Sequence, residues 1–224
     1  MLLRLDGVKK QYGGFRLDCS IQVQEGYVTG IIGANGAGKS TIFKAILGLI
    51  KPDGGKIEFL GKDSRELTVL DRQQIGVVLS ENTFSDQLTI MDVAAVMGAT
   101  YKKFDRRRFL EKCELYRLPL KKQIKDFSTG MKAKLKLLLA MSYEARLLIL
   151  DEPTFHKANS DTTSIMRNSL LLCQISLASF TKKPFIIIST LLFTFCYDQH
   201  YIIDTSLIGN NLRIIVQIKL FFFC

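Results

Sequence analysis

Residues 33 to 40 read Gly33-Ala34-Asn35-Gly36-Ala37-Gly38-Lys39-Ser40, with Thr41 next. The stretch satisfies G-x-x-x-x-G-K-[ST]. It lies between a short apolar run, Tyr27-Val28-Thr29-Gly30-Ile31-Ile32, and a helical pattern from Lys39 to about Leu49. Strand, glycine loop and helix in that order open a βαβ unit. The glycines let the loop wrap with its N–H groups pointing inward, and the positive end of the following helix favours phosphate. Lys39 is expected to reach the β- and γ-phosphates of a nucleotide, Ser40 to ligate Mg²⁺ and Thr41 to help hold the α-phosphate. The competing reading is a plain glycine turn between a strand and a helix. The full motif in its required context outweighs it.

A second motif stands about a hundred residues on. In Leu147-Leu148-Ile149-Leu150-Asp151-Glu152-Pro153-Thr154, two acids end a buried, continuously apolar strand. Open α/β sheets bind their ligands at that end of a strand. Asp151 is expected to hold Mg²⁺ through its water shell, and Glu152 to accept the proton of an attacking water. Either acid alone could also cap a strand or a following helix, a reading that the phosphate loop about a hundred residues earlier outweighs.

Working outward, Leu2-Leu3-Arg4-Leu5 and Leu17 to Val23 alternate as half-buried strands around a Gly13-Gly14 turn, the beginning of a small antiparallel sheet. Pro52-Asp53-Gly54-Gly55 reads as a turn, Lys56 to Leu60 as a strand, and Ile75 to Leu79 as a buried strand. From about Ile90 to Met141 the period is helical and the sequence basic, a helical insert. After Thr154 the composition changes. Residues 155–224 hold no Glu, a single Gly at Gly209, and 8 of the 15 Phe. Such a segment is a degenerate tail, a chimeric tail or the product of a shifted reading frame.

The chain has 224 residues, enough for one domain with a modest insert, and 47% apolar with 23% charged residues excludes fibrous and disordered classes. The net charge of +10 would raise nucleic acid as a partner, but it is local: Tyr101 to Lys136 holds 13 Lys and Arg against 4 Asp and Glu. No aromatic interleaving accompanies it, so no nucleic acid is expected. A solvated helical face is the plain reading of this stretch, and attraction to anionic lipid headgroups the sharper one. Five scattered cysteines without a C-x-x-C pair fit a reducing cytoplasm. The opening MLLRLDGVKK is too short an apolar run for a signal peptide. The longest apolar run, Phe185 to Tyr197, covers about two thirds of a ~30 Å hydrocarbon core at ~1.5 Å per residue, so it is not expected to span a membrane.

Just before the acid pair comes Phe127-Ser128-Thr129-Gly130-Met131, opening a helix that leads into Leu147. With the phosphate loop before it and the acids after it, the chain resembles the ATP-binding subunit of an ABC transporter. In that family an L-S-G-G-Q signature holds this place. Ser128 and Gly130 match it, while Thr129 stands for a glycine and Met131 for a glutamine. As a bare motif S-x-G also reads as a helix N-cap by Ser128. Tyr12 sits where the family places an aromatic side chain that stacks on adenine.

The resemblance covers about Met1 to Thr154 and implies an α/β fold: a P-loop NTPase core with a small antiparallel β subdomain and a helical insert, all in one domain over residues 1–224. It further implies ATP and Mg²⁺ as ligands and a head-to-tail homodimer or heterodimer with a second ATP-binding subunit, in which ATP lies between one chain's loop and the other's Ser128 to Met131. A separate transmembrane permease would be the partner, and the location cytoplasmic, peripheral on the inner face of the cell membrane. Length and the signature variant look closest to exporters of peptides or antibiotics.

Three positions depart from the family. Ser80-Glu81 stands where a glutamine usually follows the third strand, and Phe155-His156-Lys157-Ala158 replaces S-G-L-D. Leu191 ends the run Phe185-Ile186-Ile187-Ile188-Ser189-Thr190 where a histidine contacts the γ-phosphate, and neither His156 nor His200 substitutes for it. These departures keep open a nucleotide-binding but hydrolysis-deficient truncated paralogue. The other rival, a soluble non-transport ABC-type ATPase acting on ribosomes or DNA, would usually carry two phosphate loops or long coiled-coil inserts, and neither is present.

Overall fold

The computed structural model describes residues 1–25, 28–32, 36–79, 85–151, 185–189 and 216–220. They belong to two compact units, Met1–Arg72 with Phe185–Cys224, and Gln73–Pro184.

In the first unit, β1 (Leu3–Tyr12) and β2 (Phe15–Val23) form an antiparallel hairpin that turns at Gly13-Gly14. Leu17, Cys19, Ile21 and Val23 alternate inward along β2. On β1 the inward residues are Leu3, Leu5 and then Val8, because the register shifts between Leu5 and Val8. That bulge hides the strand's second half from a period-two reading, which stops at Leu5. Strands β4 (Gly54–Phe59) and β5 (Lys62–Asp63) complete a sheet of order β2-β1-β4-β5. Gly54 and Gly55 therefore lie in a strand rather than in the expected turn. Gly55 takes φ +82°, and a Cβ there would overlap the Gly7 carbonyl, so β4 can follow the bulge of β1 only with glycine at this point.

The same unit holds β3 (Val28–Ile32), paired in parallel with β8 (Phe185–Ser189) on one side and β9 (Val216–Leu220) on the other. Helix α1 (Lys39–Ile46) follows the glycine loop and buries Ile42, Phe43, Ala45 and Ile46. It stops sooner than the pattern to Leu49 suggests. Gly48, at φ +72°, donates to the Ala45 carbonyl at 3.1 Å and Leu49 to the Lys44 carbonyl at 2.8 Å, a Schellman ending. Arg72, the last residue of α2 (Val69–Arg72), donates to the Leu47 carbonyl at 3.2 Å and so covers that helix end. The Asp71 carboxylate accepts from Lys62 Nζ at 2.9 and 3.0 Å and from the Thr68 N–H and hydroxyl.

In the second unit, β6 (Ile75–Val78) pairs in parallel with β7 (Leu147–Asp151), every residue of which is buried. Helices α3 (Ile90–Thr100), α4 (Arg106–Leu115) and α5 (Thr129–Ala140) share a core of Ile90, Val93, Phe109, Cys113, Leu135 and Leu138. A capping box of Thr89 and Asp92 starts α3, and Asp105 starts α4. Burial raises the thiols of Cys19 and Cys113 to about 11 and about 12, so both act as packing residues. No helix among the described residues is long and apolar enough to cross a membrane.

Two outcomes test this architecture. Gly55→Ala should cost about 2 kcal/mol or more in denaturant unfolding, from left-handed strain plus overlap with Gly7. Bonds from Lys62, then Thr68, lower the Asp71 carboxyl to about 2. Its contribution is therefore complete above the unfolded value of about 4 and disappears as pH falls through 2. Asp71→Asn should lower stability at pH 6 and flatten the loss between pH 4 and 2, measured by thermal melts across that range.

Candidate functional site

The phosphate motif's described part is the hinge between loop and helix. Gly33, Ala34 and Asn35 lie outside the described residues, whereas Gly36 takes φ +82° and Gly38 φ +94° as N-cap of α1. Lys39 is the helix's first residue and is buried, while Ser40 is exposed and Ala37 and Thr41 are half-buried. No side chain caps this helix and no acid stands in its first turn. Helices α3 and α4, by contrast, start on the carboxylates of Asp92 and Asp105, and a helix start without such a residue suits an anionic phosphate. The hydroxyls of Ser40 and Thr41 and the ammonium of Lys39 are the donor set a magnesium nucleotide takes.

One contributor was not singled out from sequence. A Cβ on Gly38 would stand 2.7 Å from the Phe15 ring and 3.2 Å from the Leu17 side chain, so β2 packs directly against the backbone at the head of α1. The signal was an aromatic residue just past the Gly13-Gly14 turn, opposite Tyr12 in the hairpin register. Tyr12 itself is 47% exposed, with Lys10 Nζ 5.2 Å from its ring centre. Its ring is not spent in a core. Lys10 is held by Asp53 at 2.7 Å, which fixes the cation beside the ring.

In the second unit, Ser128 is the N-cap of α5, its hydroxyl accepting from the Met131 N–H at 3.3 Å. Ser128 and Thr129 are exposed, Gly130 is half-buried, and Met131 packs its side chain against the helical core. Phe127 is buried in that core and anchors the stretch. Further along α5, Lys132 pairs with Asp86 at 3.1 Å and Lys136 donates to the Leu79 carbonyl at 3.3 Å. The helix thereby grips the chain on both sides of residues 80–84. Asp151 is the last residue of β7 and is 3% exposed, a carboxylate brought to the carboxyl end of a parallel strand. Such a buried acid suits a hydrated Mg²⁺. Glu152, Ser80-Glu81, Phe155 to Ala158, Leu191, His156 and His200 lie outside the described residues.

A glycine turn between a parallel strand and a helix in one unit, and a parallel strand ending in an acid in the other, are elements of an α/β P-loop fold. The chain belongs to the ABC transporter family, whose sequence profile matches residues 17–155. Among its relatives is the Nod factor export ATP-binding protein I of Rhizobium johnstonii, 37% identical over 157 residues, which are 67% of this chain and 50% of that protein. Another is the lantibiotic transport ATP-binding protein SrtF of Streptococcus pyogenes, 33% identical over 159 residues, 68% of this chain and 67% of that one. The solved structure of the ATP-binding subunit of an ABC transporter superposes with a TM-score of 0.68 at 26% identity, over 87% of this chain and 81% of that one. The chain spans about half the length of the Nod factor relatives it matches.

Lys39→Ala removes the ammonium at the helix head. Affinity for a fluorescent ATP analogue should fall by about 1.5–3 kcal/mol per charge-assisted hydrogen bond lost, with the melt still cooperative. An unchanged affinity in the folded variant would take the loop out of nucleotide binding.

Proposed function

We propose that the chain is the ATP-binding subunit of an exporter, hydrolysing ATP with Mg²⁺ to drive transport through a separate membrane permease. The supporting observation is the buried Lys39 at the head of a helix that forgoes a side-chain cap and any first-turn acid. In this reading Gly33 to Thr41 hold the phosphates, Ser40 and Asp151 hold the metal, and Tyr12 stacks on the adenine. Bound Mg²⁺ would neutralise charge on the phosphates. Glu152 takes the proton of the attacking water, and the exposed Ser128 with the N–H groups at the start of α5 meets the nucleotide of a second ATP-binding subunit, identical or not. The subunit works at the inner face of the cell membrane. The relatives named for Nod factor export support export as the direction.

A second reading, a nucleotide-binding chain with little turnover, is favoured by one observation. Phe155-His156-Lys157-Ala158 and Leu191 stand where the family carries S-G-L-D and a γ-phosphate histidine. Preorganised groups around a transferring phosphoryl contribute on the order of 3 kcal/mol each, about a hundredfold in rate.

One set of proteins separates the two. Glu152→Gln should keep ATP affinity and lose turnover, since an amide preserves shape but accepts no proton. A chain with S-G-L-D at 155–158 and Leu191→His should turn over ATP about ten-thousandfold faster than the native chain if the second reading holds, about a hundredfold for each group restored, and at an equal rate if the first does. Native turnover in Glu152→Gln would assign the base to another residue.

A further inference from the structure

Helix α4 and the turn after it carry more positive charge than their own carboxylates neutralise. Glu111 is taken by Arg107 at 2.8 Å, Asp105 caps α4, and Lys103 reaches Glu144 at 3.6 Å. Lys102, Arg106, Arg117, Lys121, Lys122 and Lys125 are exposed and form no ion pair among the described residues. The inward face of α4 is Phe109 and Cys113. At ~100° per residue, Arg108, Lys112 and Leu115 fall together on one flank, while Arg107, Glu111 and Glu114 occupy the outer ridge. Partial burial and the Arg108 charge lower the Lys112 ammonium, a sign of crowded cations on that flank. Leu115 is 74% exposed beside them.

The backbone after the helix holds the next cations in place. Arg117 sits at φ +56°, donating to the Glu114 carbonyl at 2.8 Å, and Leu118 donates to the Cys113 carbonyl at 2.9 Å. Glycine usually fills this position of a helix ending, yet an arginine occupies it. The chain then runs along α3, with the Leu120 carbonyl on the Met91 N–H at 3.3 Å and the Ile124 N–H on the Leu88 carbonyl at 2.9 Å, so Lys121, Lys122 and Lys125 project from ordered backbone. The aromatic side chains of this region, Tyr101, Phe104 and Tyr116, pack against the helical core and are not offered for base stacking.

The geometry points to an anionic lipid surface as the partner of this basic region, with Arg117, Lys121, Lys122 and Lys125 meeting the lipid phosphates and Leu115, on the flank of Arg108 and Lys112, meeting the headgroup boundary. An exposed leucine amid cations suits an interface with an apolar layer beneath its charge, which a nucleic-acid duplex does not offer. The assignment rests on the transport reading only in taking a membrane to be adjacent. It adds an attachment that needs neither permease nor nucleotide.

The test is sedimentation of the full chain, without nucleotide, with vesicles of phosphatidylcholine alone or mixed with phosphatidylglycerol, beside retention on duplex DNA. Anionic vesicles should pellet the chain and neutral ones should not, with binding falling as salt shortens the Debye length. Lys121→Gln, Lys122→Gln and Lys125→Gln together should lower partitioning on the order of a hundredfold, about fivefold per charge. Leu115→Gln should lower it about tenfold. Arg117→Gly should bind about fivefold more weakly without a lower melting temperature. Equal recovery from both vesicle types, a triple variant that pellets like the native chain, or tighter retention on duplex DNA than on anionic vesicles would overturn the assignment. Fluorescent-ATP affinity in the same preparations separates the two claims. Normal affinity without vesicle binding defeats this one alone, and vesicle binding without ATP affinity defeats the nucleotide reading alone.

Discussion

An α-helix that starts on glycine, without a side-chain cap, is the constraint around which the first unit is arranged. Every helix begins with backbone N–H groups that lack intrahelical partners, and a side-chain cap offsets about 1 kcal/mol of that cost. The second unit follows the rule, with Thr89 and Asp92 on α3, Asp105 on α4 and Ser128 on α5. Helix α1 breaks it. Gly38 supplies no side-chain oxygen, no acid stands in the first turn, and the first residue is a buried lysine. The dipole at such a helix start favours an anionic partner.

Holding that helix head in place takes packing from two directions. Gly38 has a left-handed φ that allows the turn, and its bare Cα lets the Phe15 ring come close. The far end of α1 is closed by Gly48 and covered by Arg72. Strand β3, which leads into the loop, is paired on both sides, and both partners come from beyond residue 184. A parallel strand left with an open edge would expose unpaired backbone groups. The segment whose composition departs from the rest therefore supplies backbone hydrogen bonds to the strand that leads into the phosphate motif.

Legibility followed the length scale of the interaction. The loop motif, the apolar strand ending in Asp151 and the helical run from Ile90 announce themselves through local residue order, and the α/β P-loop architecture could be read from them. What escaped depends on contacts distant in sequence. The second half of β1 is hidden by the bulge that brings Val8 inward, and Gly54-Gly55 looks like a turn because the need for glycine comes from Gly7, about fifty residues earlier. Phe15 as a support for Gly38 is likewise a tertiary fact. Strand β9, Val216-Gln217-Ile218-Lys219-Leu220, does alternate apolar with polar, but the unusual composition around it drew the reading away.

Ser128 shows why a residue can satisfy two readings at once. Its hydroxyl oxygen accepts the Met131 N–H, which makes it a structural cap, and the side chain is nonetheless exposed. A hydroxyl that accepts one bond keeps its proton to donate and a lone pair to spare. Capping fixes the rotamer, so less side-chain entropy remains to be lost when a second partner arrives. The replacement of glutamine by Met131 follows the same economy, since the thioether side chain packs into the helical core and anchors the first turn. Lys132 and Lys136 then fasten the rest of α5 to Asp86 and to the Leu79 carbonyl. Any rotation of α5 about its axis would have to break or stretch those two bonds.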